Sequence, residues 1–115
     1  MKEENVILTK SYDFSVKIMR IAKSIRECRE YDLASQLWRS GTSIGANVEE
    51  AQAAQSRADF RSKLSIAAKE AREVHYWLRL TIDSGVLSTE ETKNALQNAE
   101  EIKRILTSII KSASS

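Results

Sequence analysis

Apolar side chains recur at steps of three and four along most of the chain, which is the spacing of one face of an α-helix. The first such stripe predicts a helix from about Ser11 to Arg29, with residues 1–10 as a short, partly frayed lead-in because they lack this period. The stripe consists of Phe14, Ile18, Ile21, Ile25 and Cys28.

The second helix is the most distinctive stretch, because small residues dominate it. It is predicted from Leu33 to about Ala54, with Asp32 as its N-cap. Glycine inside a helix costs about 0.5 to 1 kcal/mol relative to alanine, so its small residues indicate close approach of a neighbouring helix. Those residues are Gly41, Ser43, Gly45 and Ala46, beside an inward stripe of Leu37, Gly41, Ile44, Val48 and Ala51.

Capping signals delimit the other two helices. Ser56 with Asp59 predicts the start of a third helix over residues 57–84, and Gly85 is the expected left-handed terminator. Ser88 with Glu91 predicts a fourth helix over about residues 89–112. The inward seam of the third helix is Phe60, Leu64, Ala67, Ala71, Val74, Leu78 and Ile82.

Four amphipathic helices with short links predict one all-α domain over residues 1–115, an up-down-up-down antiparallel four-helix bundle. Proline is absent and glycine occurs three times, so nothing interrupts the helices.

The net charge is only +2, from 18 basic and 16 acidic residues, but the basic residues are unevenly distributed. Two interpretations remain open: a solvated surface with local ion pairs, or a surface that binds the phosphates of a nucleic acid. The residues concerned are Lys17, Arg20, Lys23 and Arg26, joined by Arg29, on the first helix and Arg61, Lys69, Arg72 and Arg79 on the third.

The third helix also has a second apolar surface, away from its core seam. Large exposed apolar patches mark interaction sites, so Ile66, Tyr76, Trp77 and Leu80 predict self-association. The alternative is that an edge of the first or fourth helix covers them.

A polar row on the second helix, Arg39, Ser43 and Asn47, runs beside the core. We interpret it as a structural row that bonds to a neighbouring helix and fixes its register, because buried polar groups need partners; a ligand site is the alternative.

Catalytic chemistry finds little support. His75 has no carboxylate at adjacent helical spacings, Cys28 falls on the core stripe as an inert small hydrophobe, and the Glu-x-x-His motif of di-metal bundles is absent. We therefore predict no enzyme activity, metal or cofactor. The acidic start of the chain does not resemble a signal peptide, and no segment is apolar enough to span a membrane, so a reducing cytoplasm is the predicted location.

The segment LASQLWRSGTSIGANVEEA resembles the second-helix signature of the bacterial 23S rRNA intervening-sequence protein family. SYDFSVKI is similar to that family's opening, and the chain departs from the family pattern where Glu49, Glu50 and Ala51 replace Ala-Glu-Gly. A proline common after the first helix is also missing. The matching positions are Gln36, Leu37, Arg39, Ser43, Ile44, Asn47, Val48 and Glu50, with Phe60, Leu64, Ile66, Ala67 and Glu73 on the third helix.

The resemblance implies a helical bundle that assembles as a ring-like homopentamer and carries no catalytic motif. Some relatives lie in insertions of the large ribosomal RNA gene, and others are accessory proteins of retroelements that bind nucleic acid and a reverse transcriptase. The expected function is therefore binding of RNA or DNA, most readily structured RNA, by a homo-oligomer. The alternative is an oligomeric scaffold for a protein partner.

Overall fold

The computed structural model describes residues 2–114, and side chains from residue 6 onward. Over that range the chain forms four helices: α1 (Lys2–Glu27), α2 (Tyr31–Gln52), α3 (Arg57–Asp83) and α4 (Thr89–Ala113). Helix α1 packs against α2 and α4, and α3 packs against the same two, so α1 and α3 occupy diagonal corners. The predicted antiparallel four-helix bundle is confirmed, with extents of 44 × 20 × 18 Å.

Helix α1 starts nine residues earlier than the sequence pattern predicts. Its start at Lys2 shows that the expected lead-in is helical, and Ile7 within it is only 1% exposed. Ile7 lies on the same face as Phe14 and Ile18. Ile7 belongs to the buried hydrophobic core, and burial against other helices cannot be read from the period of one segment.

The turn between α1 and α2 also differs from the prediction. Arg29 adopts a left-handed conformation, with φ of 65°, and the Glu30 N–H donates to the Ile25 carbonyl at 3.3 Å. This is a Schellman-type helix end, in which arginine stands where glycine is usual. Because α1 ends at Glu27, Cys28 falls in the turn and is exposed, so its predicted place on the core stripe is wrong.

The start and end of α2 each move by two residues relative to the prediction. The N-cap is Glu30, without a side-chain hydrogen bond, and Asp32 lies in the first turn, so its predicted capping role is wrong. The other signals are confirmed: the Ser56 hydroxyl accepts from the Asp59 N–H at 3.0 Å, and Glu91 accepts from the Ser88 N–H at 3.2 Å. Gly85 ends α3 with φ of 79°.

The small residues of α2 bring it against α1 at two points. A Cβ atom on Gly41 would lie 2.8 Å from Cβ of Ile18, and one on Gly45 would lie 3.0 Å from the Ser15 hydroxyl. The other two small residues, Ser43 and Ala46, are half-buried and exposed. The close approach therefore depends on the two glycines.

Candidate nucleic-acid interface

Of the four basic residues of α1 predicted to bind nucleic acid, one is held against α4 and three are exposed. Lys17 donates to Asn98 of α4 at 2.6 Å and also to Asn94, which holds it along the α1–α4 seam. Arg20, Lys23 and Arg26 are exposed. These three give α1 an exposed basic surface that a polyanion can reach.

The basic flank of α3 borders α4. Arg61 donates to the Ala113 carbonyl at 3.1 Å, and Arg79 donates to Nδ1 of His75 at 3.2 Å. Lys69 and Arg72 are exposed. Arg61 is thus tied to the end of α4, whereas Lys69, Arg72 and Arg79 are exposed, with Arg79 bonded to His75 of its own helix.

The structure does not bring the two predicted basic sets together, because they belong to diagonal helices. A single subunit therefore presents two separate basic surfaces. It also pairs His75 Nε2 with Glu100 Oε1 of α4 at 3.0 Å, a carboxylate that spacing along the third helix alone does not reveal.

Between α1 and α2 lies a groove of about 640 Å³ that sequence reasoning missed. Ala22 and Ala34, both buried, lie at its base, and the larger side chains around it are basic or aromatic. They are Lys23 and Arg26 from α1 and Tyr31 and Trp38 from α2.

The aromatic side chains of this groove are accessible. Tyr31 is 56% exposed and Trp38 is 39% exposed, and the Arg26 guanidinium lies 5.9 Å from the centre of the Tyr31 ring. The spacing of Tyr31 and Trp38, seven residues apart on one flank of α2, is the signal that would have identified them.

The outward surface of α3 is open at three of its four predicted interface positions. Ile66, Tyr76 and Leu80 are between 40% and 48% exposed. Trp77 instead is half-buried and packs against the core, with its ring 5.0 Å from that of Tyr76 in an edge-on arrangement. Tyr76 and Leu80 are therefore the accessible residues beside Trp77 in the predicted self-association surface of α3.

Of the three residues in the polar row of α2, Arg39 is the one with described side-chain contacts to α3. This guanidinium binds Glu73 at 2.8 Å and Glu70 at 3.4 Å, whereas Ser43 donates to the Arg39 carbonyl and Asn47 to the Ser43 carbonyl of the same helix. A second link comes from the Ser40 hydroxyl, which donates to Glu73 at 3.2 Å.

The ionisation of Glu73 reflects these contacts. Partial burial raises the pKa of its carboxyl, but the hydrogen bond from Ser40 and the hydrogen bond and charge of Arg39 together outweigh burial. The pKa of Glu73 therefore lies below its ordinary value, and the carboxylate stays ionised to lower pH.

Among the side chains that the structure describes, residues 6–114, no cluster of three or more His, Cys, Asp or Glu could hold a metal ion. No helix within residues 2–114 has the length and apolar character to cross a membrane.

The chain is similar to a known protein family and to a solved structure. Residues 3–108 match the model of a family described as 23S rRNA-intervening sequence protein. A crystal structure at 1.70 Å of a protein of unknown function from the S23 ribosomal protein family, from Bacteroides thetaiotaomicron VPI-5482, is 45% identical, with a TM-score of 0.91. The match covers 95% of this chain and 98% of that one. No curated protein matches the chain.

Proposed function

Since the chain belongs to the 23S rRNA-intervening sequence protein family, we propose that it is a non-enzymatic, homo-oligomeric protein that binds nucleic acid, structured RNA in particular, through phosphate contacts. The observation that carries the proposal is the exposed set of Arg20, Lys23 and Arg26 on α1. No carboxylate lines the adjoining groove among the described residues.

Self-association strengthens this proposal, because one subunit has a net charge of only +2. A closed ring, a pentamer as the family resemblance implies, repeats each basic surface around one axis and sums its field. The exposed apolar positions Ile66, Tyr76 and Leu80 supply a contact for such a ring. The protein would act in the cytoplasm and need no metal or cofactor.

A second candidate, an oligomeric scaffold for a protein partner such as a reverse transcriptase, is favoured by the same apolar surface of α3. In that case Ile66, Tyr76 and Leu80 contact the partner, and the basic residues are solvated. The two candidates differ in how binding responds to salt. Phosphate contacts release counterions and give a steep dependence, whereas apolar contacts give a shallow one.

The test measures RNA affinity between low and moderate salt for three double variants that each remove two positive charges. Lys23→Ala with Arg26→Ala probes α1, Lys69→Ala with Arg72→Ala probes α3, and the matched control changes two exposed cations of α4, Lys93 and Arg104. Loss of two phosphate contacts should lower the slope of log affinity against log salt by about 1.4 to 1.8.

We expect the salt dependence of the α1 double variant to decrease by this amount and that of the α4 control to stay at the wild-type value. Equal losses in all three variants would mean that only net charge matters, and no RNA or DNA binding by the wild type at micromolar protein and low salt would refute the proposal.

Assembly is tested by light scattering on Trp77→Glu and on Tyr76→Glu with Leu80→Glu. Each buried large apolar side chain contributes about 1.5 to 3 kcal/mol, so charges at Tyr76 and Leu80 should produce smaller, folded species. Trp77 packs against the core, so Trp77→Glu tests the ring contact only if circular dichroism shows that this variant stays folded. A wild-type protein that remains monomeric at millimolar concentration would exclude the ring.

A further inference from the structure

We infer that the groove between α1 and α2 receives an unpaired nucleobase, so that the protein recognises single-stranded segments of its nucleic acid. This inference rests on the proposed nucleic-acid binding and makes it specific: the ligand class is an unstacked nucleotide in a loop, bulge or end. The carrying observation is the combination of exposed aromatic faces with cations around one groove.

The shape of the groove follows from its base. Ala22 of α1 and Ala34 of α2 are 2% and 6% exposed, and neither side chain extends beyond Cβ. The two helices therefore leave a depression of about 640 Å³ above them. That size falls within the range of about 300 to 1,000 Å³ that is usual for sites holding small molecules, and it accommodates a base with its sugar.

The chemistry of the groove matches both parts of a nucleotide. Trp38 and Tyr31 offer π-faces on which any base can stack. Lys23 and Arg26 lie at the same groove and supply positive charge for the adjoining phosphates. An apolar peptide would gain nothing from these two cations, and an acidic peptide would make little use of two aromatic rings.

The groove is also partly organised before a ligand binds. The Arg26 guanidinium already lies over the Tyr31 ring at 5.9 Å, which restricts both side chains. The acids nearest in sequence, Glu27, Glu30 and Asp32, are exposed but do not line the groove. A phosphate at Arg26 therefore meets no carboxylate within the groove.

Duplex nucleic acid does not satisfy this arrangement, because its bases are stacked on one another and unavailable to an aromatic side chain. The prediction is thus a preference for single strands that depends on Trp38, superimposed on a salt-dependent phosphate affinity shared by both forms.

The experiment compares a single-stranded RNA oligonucleotide with a hairpin carrying the same number of phosphates, in which all bases are paired and a non-nucleotide linker replaces the loop. Wild type, Trp38→Phe, Trp38→Leu and the control Tyr12→Leu are titrated at one salt concentration. Tyr12 is an exposed aromatic of α1, 65% exposed, that does not line the groove. Circular dichroism and light scattering confirm that each variant keeps its fold and size.

We expect Trp38→Leu to weaken single-strand binding about tenfold or more, Trp38→Phe to weaken it less because a stacking face remains, and hairpin binding to change little. In a Trp77→Phe background Trp38 is the sole tryptophan, and its fluorescence should be quenched by the single strand and not by the hairpin.

Three results would overturn the inference. Equal loss for the single strand and the hairpin would make Trp38 a general contact, and binding without quenching would place the base elsewhere. A smaller oligomer for Trp38→Leu would make the groove a contact between copies of the chain. All three leave the proposed nucleic-acid binding standing, whereas absence of binding to both RNAs removes that proposal itself.

Discussion

Substitution of Gly41 by alanine is expected to destabilise the bundle by separating α1 from α2. The added Cβ would lie 2.8 Å from Cβ of Ile18 and nearer still to its Cγ2 atom. Ile18 is fully buried, and Cβ is fixed to the helix backbone, so rotation of the side chain cannot remove the clash. The two helices must move apart along their tightest contact.

The magnitude combines two opposing terms. Alanine in a helix interior is favoured over glycine by about 1 kcal/mol. Overpacking a close-packed core costs about 1 to 3 kcal/mol, and a clash at a branched carbon belongs at the upper end of that range. The net loss in the free energy of unfolding is therefore about 2 kcal/mol, or a urea midpoint lower by about 1 M.

The assay is urea unfolding followed by circular dichroism, with Ala46→Gly as a matched control. Ala46 is exposed in the same helix, so its substitution measures the propensity term alone, about 1 kcal/mol. In an Ile18→Ala background the cost of Gly41→Ala should fall, whereas Ile18→Val keeps Cβ and Cγ2 and should give no relief. A Gly41→Ala protein as stable as wild type would refute the reasoning.

Three other substitutions or treatments follow from the same structure. Arg29→Gly should raise stability by about 0.5 to 1 kcal/mol in urea unfolding, because glycine adopts φ of 65° without strain; a loss would show that the arginine side chain contributes more than its backbone costs. Glu73→Gln should lower stability at pH 7 by a few tenths to about 1 kcal/mol, since the carboxylate is partly solvated. The pKa of Glu73 is lowered on folding, so this contribution is present above its unfolded pKa, about 4.3, and is lost as pH falls through the folded pKa. A deficit that does not shrink as the pH is lowered below the unfolded pKa would contradict the ionic origin. Cys28 is exposed, so a thiol reagent should modify it in the native protein at a rate independent of urea below the unfolding transition; a rate that follows global unfolding would contradict its position in the turn.

Features that depend on local chemistry could be predicted from the sequence. The Ser88–Glu91 capping box and the left-handed Gly85 involve residues within one turn, and both occur as predicted. The core stripes are likewise local, since 3.6 residues per turn fixes which side chains share a face.

The ends of α1 could not be predicted in the same way. Val6, Ile7 and Leu8 are consecutive apolar residues without helical spacing, and only Ile7 is buried. Its burial depends on neighbouring helices that extend to cover it. At the other end, the left-handed backbone of Arg29 could not be predicted from its residue type, because this conformation is unfavourable for arginine. It is required here by the turn between α1 and α2.

The candidate site depends on which flank of each helix remains exposed to solvent after the helices pack. A helical wheel of one helix does not contain this information. Trp77 lies one turn beyond Glu73, on the flank of α3 that faces α2, and it is packed against the core although its spacing placed it outward. Trp38 lies next to the core residue Leu37, yet it remains 39% exposed because the neighbouring position on α1 is Ala22 rather than a larger residue. The exposure of Trp38 thus depends on the small side chain of another helix at the same groove, which a helical wheel of α2 does not contain. Two exposed aromatics, Tyr31 and Trp38, consequently lie at the α1–α2 seam beside Lys23 and Arg26, and this juxtaposition exists only once the two helices are packed.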